Sequence, residues 1–236
     1  MKQNRYIAAI LAVAMMLCVC LSACGSSDPT VSDTTTTTIS SQFKGKLLEK
    51  YIKYVNTGAY MYATEGTASD GSAVPVTVST YKSKYKMITV SSNDATFQFL
   101  RNRSTYYVII PDQSCYCKVT EQGLKTYVSN LFVSNYDLTF EDYSYKATGT
   151  QTLDDGVTYT YEDYYYPKTQ KTVRFFFTSD GTLEKRCIVA SDGSETELFK
   201  FEIYGNVTEK SMQIDSGYTD GGTTLEDTLM QGGMTA

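Results

Sequence analysis

The chain predicts a mainly β, antiparallel domain with a minor helical part, and three features predict it. From Tyr60 to Tyr204 it is rich in Tyr, Thr, Val, Ile and Phe, which suit a pleated, half-buried surface. Asp70-Gly71, Asp155-Gly156, Asp180-Gly181 and Asp192-Gly193 punctuate these runs, and Asp-Gly suits the positive φ that a tight hairpin requires. Helical spacing is confined to two short stretches, and no fixed period of 20 to 50 residues points to a solenoid or propeller.

The first helix opens the domain. Ser40 or Ser41 can act as N-cap, and Phe43, Leu47, Leu48, Tyr51, Ile52 and Val55 recur on one face until Asn56-Thr57-Gly58 stops it. Strands are expected at Tyr60–Ala68, Val74–Tyr81, Lys84–Ser91, Thr96–Arg101, Thr105–Ile110 and Cys115–Thr120. A second helix over Glu121–Phe132 puts Leu124, Tyr127, Val128 and Leu131 together. Further strands follow at Leu138–Thr148, Val157–Tyr166, Thr172–Thr178, Leu183–Ala190 and Glu195–Tyr204. The Gly- and Thr-rich stretch 219–236 reads as a disordered tail.

Alternation assigns the faces. Val173, Phe175 and Phe177 point one way and Thr172, Arg174 and Phe176 the other; Leu183, Cys187 and Val189 oppose Glu184, Arg186 and Ile188. One face is thus expected to be apolar and the other mostly wet. A long meander with two helices to cover its apolar face suggests a strongly curved antiparallel β half-barrel of 10–11 strands, with the N-terminal helix and one inserted helix on the concave side.

The first residues have the parts of an export signal. Lys2 and Arg5 are followed by an apolar stretch, Tyr6 to Leu21, shorter than the roughly 20 residues of a membrane-spanning helix. Leu21-Ser22-Ala23-Cys24-Gly25 then resembles the lipobox of bacterial lipoproteins. That resemblance implies a signal peptide over 1–23, a diacylglycerol-modified and acylated (palmitate-type) Cys24 as mature N-terminus, and a stable lipid anchor at the extracytoplasmic face of the cell membrane. Residues 24–41, with the threonine run Thr34 to Thr38, read as a disordered linker, and 42–218 as the domain.

The order of parts resembles the lipoprotein carriers LolA and LolB of the cell envelope. The similarity is carried by the first helix running into Tyr60-Met61-Tyr62-Ala63-Thr64, by Lys84-Tyr85-Lys86-Met87, and by Thr105-Tyr106-Tyr107-Val108-Ile109-Ile110-Pro111. Phe176-Phe177-Thr178-Ser179-Asp180-Gly181-Thr182-Leu183 and Met212-Gln213-Ile214-Asp215-Ser216-Gly217-Tyr218 extend it over about the whole of 42–218. The resemblance implies a hydrophobic or lipid ligand held between a half-barrel sheet and its helices. LolA is a soluble shuttle that latches its lid with an arginine; this chain carries an anchor signal, and no motif places that arginine. The residues expected to line a ligand site are Leu48, Tyr51, Ile52 and Val55 on the first helix, Leu124 and Leu131 on the second, and Phe175 and Phe177 on the sheet.

Composition narrows the chemistry. The chain has no histidine, which removes Ser-His-Asp and Cys-His catalysis and histidine zinc sites. No phosphate loop or cofactor motif is present, so neither an enzyme nor a cofactor is expected. The adjacent pairs Glu141-Asp142, Asp154-Asp155 and Glu162-Asp163 point apart in a strand or into solvent at a turn, and no metal set is spaced for binding. Without Lys2 and Arg5 the chain holds nineteen basic and twenty-six acidic side chains, and it lacks a basic block suited to nucleic acid. For Cys115, Cys117 and Cys187 two readings stand: a disulfide from Cys187 to one of the pair, or three buried thiols. Tyr159, Tyr161, Tyr164, Tyr165 and Tyr166 form a cluster suited to a carbohydrate or peptide surface, or simply to a sheet. The expected partners are the membrane, through the anchor, and an apolar ligand. The alternative is a surface-displayed module, without a ligand cavity, that docks another envelope protein or serves as a sensor.

Overall fold

Hairpin closure follows one recipe three times. The computed structural model describes residues 40–67, 73–91, 96–123, 138–223 and 227, which leaves Asp70-Gly71 outside the described residues. At Leu153–Val157, Thr178–Thr182 and Ala190–Ser194 the first residue's N–H donates to the last residue's carbonyl, and the glycine N–H donates back to the first residue's carbonyl. Asp155, Asp180 and Asp192 each accept, through Oδ1, the N–H two residues on, at 2.9, 3.0 and 2.9 Å. Gly156, Gly181 and Gly193 take φ of 77°, 80° and 84°, where a Cβ would be strained.

The strands in chain order are β1 (Ala59–Thr67), β2 (Ala73–Tyr81), β3 (Tyr85–Ser91), β4 (Thr96–Asn102), β5 (Thr105–Ile110), β6 (Cys115–Val119), β7 (Ser144–Thr152), β8 (Thr158–Tyr166), β9 (Lys171–Phe177), β10 (Leu183–Val189), β11 (Glu195–Gly205) and β12 (Thr219–Asp220). One α-helix, α1 (Glu49–Asn56), and three short 3-10 turns complete the described elements. The chain is therefore mainly β and antiparallel, as the composition predicts. The twelfth strand is the addition: instead of starting a disordered tail, Thr219 and Asp220 pair in parallel with Cys115 and Tyr116. Thr219 donates to the Ser114 carbonyl at 2.9 Å and Gly221 to that of Tyr116 at 2.8 Å, so an open sheet edge supplied bonds that composition does not foresee.

The described residues fall into two compact units. The first, within Gly58–Asp137 and Asn206–Ala236, holds the strand order β12-β6-β5-β4-β3-β2-β1. The 3-10 turn Lys210–Met212 packs on β3, Met212 is fully buried, and Tyr85 Oη donates to Glu209 at 2.5 Å. After β6, Thr120 Oγ1 accepts the Gly123 N–H at 2.9 Å and the backbone turns helical at 121–123, where the second helix was expected. The rest of that helix, Leu124 and Leu131 included, lies outside the described residues, as does Cys24.

The second unit, within Ala23–Thr57 and Leu138–Gly205, holds α1 and the order β11-β10-β9-β8-β7. Its helix is shorter than the spacing predicts. Ser41–Phe43 forms a 3-10 turn, Gly45 takes φ of 75°, and the α-helix starts at Glu49. The strand expected at Leu138 starts at Ser144, because the chain first turns back at Phe140–Tyr143 to bury both rings.

A β-bulge corrects the predicted faces. Leu183 pairs with Phe177, but Lys185 pairs with Phe176, so the phase of β10 inverts between them. Cys187, opposite Arg174, therefore lies on the other face from Leu183, and Arg186, opposite Phe175, joins the aromatic face. The face expected to be mostly wet is largely covered: Phe176, Tyr159 and Cys187 are at most 2% exposed, with Leu153, Tyr161 and Val189 packed on them.

Candidate ligand-binding site

In the second unit the structure brings together the helix and sheet residues expected at the site. Leu48, the N-cap of α1, and Tyr51 and Ile52 on the helix are buried, Val55 is half-buried, and Phe175 and Phe177 are buried on β9. Tyr51 packs on Phe177 at 6.2 Å between ring centroids, and Phe43 stacks on Tyr164 at 5.5 Å. Phe175 sits among Phe140, Tyr164 and Phe201 at 6.0, 6.0 and 5.9 Å. Tyr51 Oη accepts the Leu183 N–H at 2.8 Å and donates to the Gly181 carbonyl at 3.2 Å. Each ring here has its partners within the unit, the arrangement of a packed core.

The adjacent carboxylates of β8 do point apart, and both are committed. Glu162 accepts the N–H groups of Leu47 and Leu48 at 2.8 and 3.1 Å and the Tyr164 hydroxyl at 2.8 Å, and burial together with Glu162 pushes the Tyr164 phenol up. On the opposite face Asp163 takes both bonds of the Arg174 fork, Nε at 2.7 Å and Nη2 at 2.9 Å. Arg174 Nη1 reaches Gln151 at 2.9 Å and Glu195 at 2.5 Å, and its guanidinium lies 3.8 Å from the Tyr161 ring centroid. The bond to Asp163 holds Arg174 charged well beyond its ordinary range. The tyrosine cluster is thereby divided: Tyr159 and Tyr161 join the Arg174 face, Tyr164 and Tyr166 the aromatic face.

Cys115, Cys117 and Cys187 form no disulfide. Cys117 and Cys187 are buried and Cys115 is half-buried, its Sγ 3.9 Å from Gln113 Oε1. Burial pushes the Cys115 thiol up and takes that of Cys187 up to about 12.

The first unit holds a surface that the predicted set of site residues omits. Cross-strand register aligns Tyr62, Val78, Ile88, Phe99, Val108 and Cys117 in one row across β1 to β6. None is more than 8% exposed. Val76, Val90 and Phe97 continue the same face on one side. On the other side, two residues along each strand or roughly 7 Å away, the next row is Tyr60, Thr80, Lys86, Arg101, Tyr106 and Val119. An apolar face therefore ends in a row bearing two cations. Lys86 is 3% exposed and stands directly opposite Arg101. The alternations Lys86-Ile88-Val90 and Phe97-Phe99-Arg101 contain the signal, a charge in phase with apolar neighbours, but it becomes informative only once the register places both charges side by side.

No family model matches the sequence, and no curated protein matches it. Solved structures that it resembles include an uncharacterized conserved protein from Thermus thermophilus, with 6% identity over 75% of this chain and 96% of that one and a TM-score of 0.37. MucB in complex with MucA(peri) is similar at 12% identity over 72% of this chain and 60% of that one, with a TM-score of 0.31. The neighbours also include a LolA superfamily protein from Nitrosomonas europaea, at 12% identity over 71% of this chain and 96% of that one, with a TM-score of 0.29. These likenesses are loose, and neither substrate nor partner is taken from them.

Proposed function

We propose that this chain is a lipid-anchored, extracytoplasmic, non-enzymatic protein that holds an apolar ligand against the sheet face of its first unit, in the manner of a half-barrel carrier. The observation that carries this reading is the apolar row from Tyr62 to Cys117, which runs across six strands on one face. The row is at most 8% exposed, so on this reading an acyl chain would lie between the sheet face and the part of the chain that already covers it. The export signal and the lipobox-like Leu21-Ser22-Ala23-Cys24 support placement at the outer face of the cell membrane. The lack of histidine and the structural commitment of Glu162 and Asp163 support a binding role over catalysis.

Native mass spectrometry with lipid extraction, on full-length protein purified without denaturant from its own envelope, tests the ligand. Lipid released only on unfolding is the expected result. An apo mass that persists after incubation with envelope lipids overturns the ligand reading and favours the docking module. For the anchor, Cys24→Ser is expected to abolish acyl labelling and move the protein out of the membrane fraction; unchanged fractionation overturns the anchor.

A further inference from the structure

Basic side chains of the first unit gather at one end of its sheet. Lys82 and Lys84 occupy the turn between β2 and β3, Arg103 the turn between β4 and β5, and the pairing of Tyr85 with Asn102 sets the two turns side by side. Arg101 Nη2 donates to the Ser83 carbonyl at 2.7 Å, and the Arg103 N–H to the Lys84 carbonyl at 2.7 Å, so the turns are fastened to each other. Lys82, Ser83 and Arg103 take φ of 48°, 53° and 56°, a region that glycine and asparagine occupy at less cost, so two cations stand where the backbone favours a neutral residue. No ion pair among the described residues includes Lys82, Lys84 or Arg103. Two carboxylates belong to this end: Glu209 is held by the Tyr85 hydroxyl, which Arg103 also reaches, and Glu121, beyond the end of β6, has an interaction of its own. The opposite end of the same strands carries Glu65 on β1, Asp112 bonded to the Thr96 N–H at the start of β4, and Asp220 on β12, with no lysine or arginine among the described residues. The sheet is therefore polarised in charge along its strands, over roughly 20 Å.

We propose that these two turns, through Lys82, Lys84 and Arg103, dock the first unit on the anionic phospholipid surface of the membrane that holds the chain. The proposal rests on the lipid-anchored reading and adds an orientation: the basic turns face the lipid head groups and the acidic end faces away. Cations at exposed turns gain from a negative surface potential, whereas carboxylates at the far end lie beyond the Debye length of roughly 8 Å and are screened from it. A chain of net charge −5 is repelled by such a surface as a whole, so contact has to come from a local basic patch. The exposed turn residues are Lys82, Ser83, Lys84, Arg103 and Ser104, which include no apolar or aromatic side chain of the kind that anchors a protein interface. Head groups need only charge, and a tether keeps the patch concentrated beside them, so a few cations suffice.

The chain has no tryptophan, so Ser104→Trp, next to Arg103, supplies a single fluorescent reporter, and Gln113→Trp, at the acidic end, its control. Full-length protein from its own envelope is reconstituted with vesicles of phosphatidylcholine, with or without phosphatidylglycerol, each containing a lipid with a dansyl head group as energy-transfer acceptor. Transfer from Ser104→Trp is expected to exceed that from Gln113→Trp, to rise with phosphatidylglycerol, and to fall with added salt while the protein stays on the vesicles. Lys82→Asn and Arg103→Asn remove charge where the backbone suits asparagine, so each should lower the docked-to-undocked ratio about fivefold without lowering the melting temperature. Equal transfer with and without phosphatidylglycerol, or undiminished transfer when both substitutions are combined, overturns the docking; protein that still floats with both kinds of vesicle leaves the anchor standing. Flotation with phosphatidylglycerol vesicles alone supports the docking and overturns the anchor, and flotation with neither overturns both. A shift of the Ser104→Trp emission with soluble polyglutamate, without lipid-dependent transfer, overturns the lipid surface in favour of an acidic protein partner.

Discussion

Glu162 on β8 caps the start of α1 from across the unit: its Oε1 accepts the Leu47 N–H and its Oε2 the Leu48 N–H, at 2.8 and 3.1 Å. Helix starts leave N–H groups without intrahelical partners, and local Ser, Thr, Asn or Asp side chains usually take them. Here Leu48 is the N-cap residue, so the acceptor has to come from the sheet. Glu162→Gln keeps the size but replaces one acceptor oxygen by a donor. It is expected to lower stability by about 1–3 kcal/mol, measured by urea denaturation, because a buried N–H then loses its partner. A shift below a few tenths of a kcal/mol would argue against the cap.

Arg174 organises the opposite face of the same strands. Its fork on Asp163, together with Gln151 and Glu195, makes a largely buried network in which side-chain exposure is 14% for the arginine and 10% for Asp163. Arg174→Met would leave the Asp163 carboxylate buried beside Glu195 with its cation gone, and should cost about 3–5 kcal/mol. Adding Asp163→Asn should recover part of that loss. A double-mutant cycle checks it, and strictly additive losses would refute the coupling.

The Tyr161 ring lies over Gly149, its cross-strand partner on β7. A Cβ at Gly149 would fall 2.6 Å from Tyr161 Oη and 2.7 Å from its Cζ. Because that ring also carries the Arg174 guanidinium, it is poorly placed to yield, and Gly149→Ala is expected to destabilise by about 1–3 kcal/mol. Thermal melts of Gly149→Ala with and without Tyr161→Ala should show that the alanine costs much less once the ring is removed.

Alkaline pH should unfold the chain through its buried thiol. In the folded state Cys187 is pushed up to about 12, first by burial, from an ordinary value of 9.0. Above pH 9.0 the unfolded thiol releases its proton while the folded one keeps it. The unfolded state then binds fewer protons, so the stabilisation present below that pH is lost as pH rises toward 12. Melting temperature followed against pH should fall more steeply above pH 9 in the wild type than in Cys187→Ala. Equal slopes would remove Cys187 from the account.

Much of the strand layout can be read from single residues. Ten of the eleven expected strands meet their observed counterparts within one residue at the start, since Thr-, Tyr- and Val-rich runs and Asp-Gly turns act locally. The exception is β7, whose start was displaced by a tertiary preference for burying Phe140 and Tyr143. The candidate site was far less legible. Tyr62, Val78, Ile88, Phe99, Val108 and Cys117 lie on six strands, and nothing in any one strand says that they share a row.

The β-rich composition, the turns, the exclusion of histidine chemistry and the export-like N-terminus are all legible along the chain, because each depends on a residue type or on neighbours a few positions apart. Strand pairing alone reveals that a bulge turns Cys187 away from Leu183 and brings Arg186 onto the aromatic face. Packing likewise brings Glu162 to a helix start 114 residues away in sequence and sets Lys86 opposite Arg101 at the end of an apolar face. The physical reason is that strand alternation specifies a face only up to the next bulge, whereas cross-strand register, set by how the whole sheet pairs, determines which side chains meet.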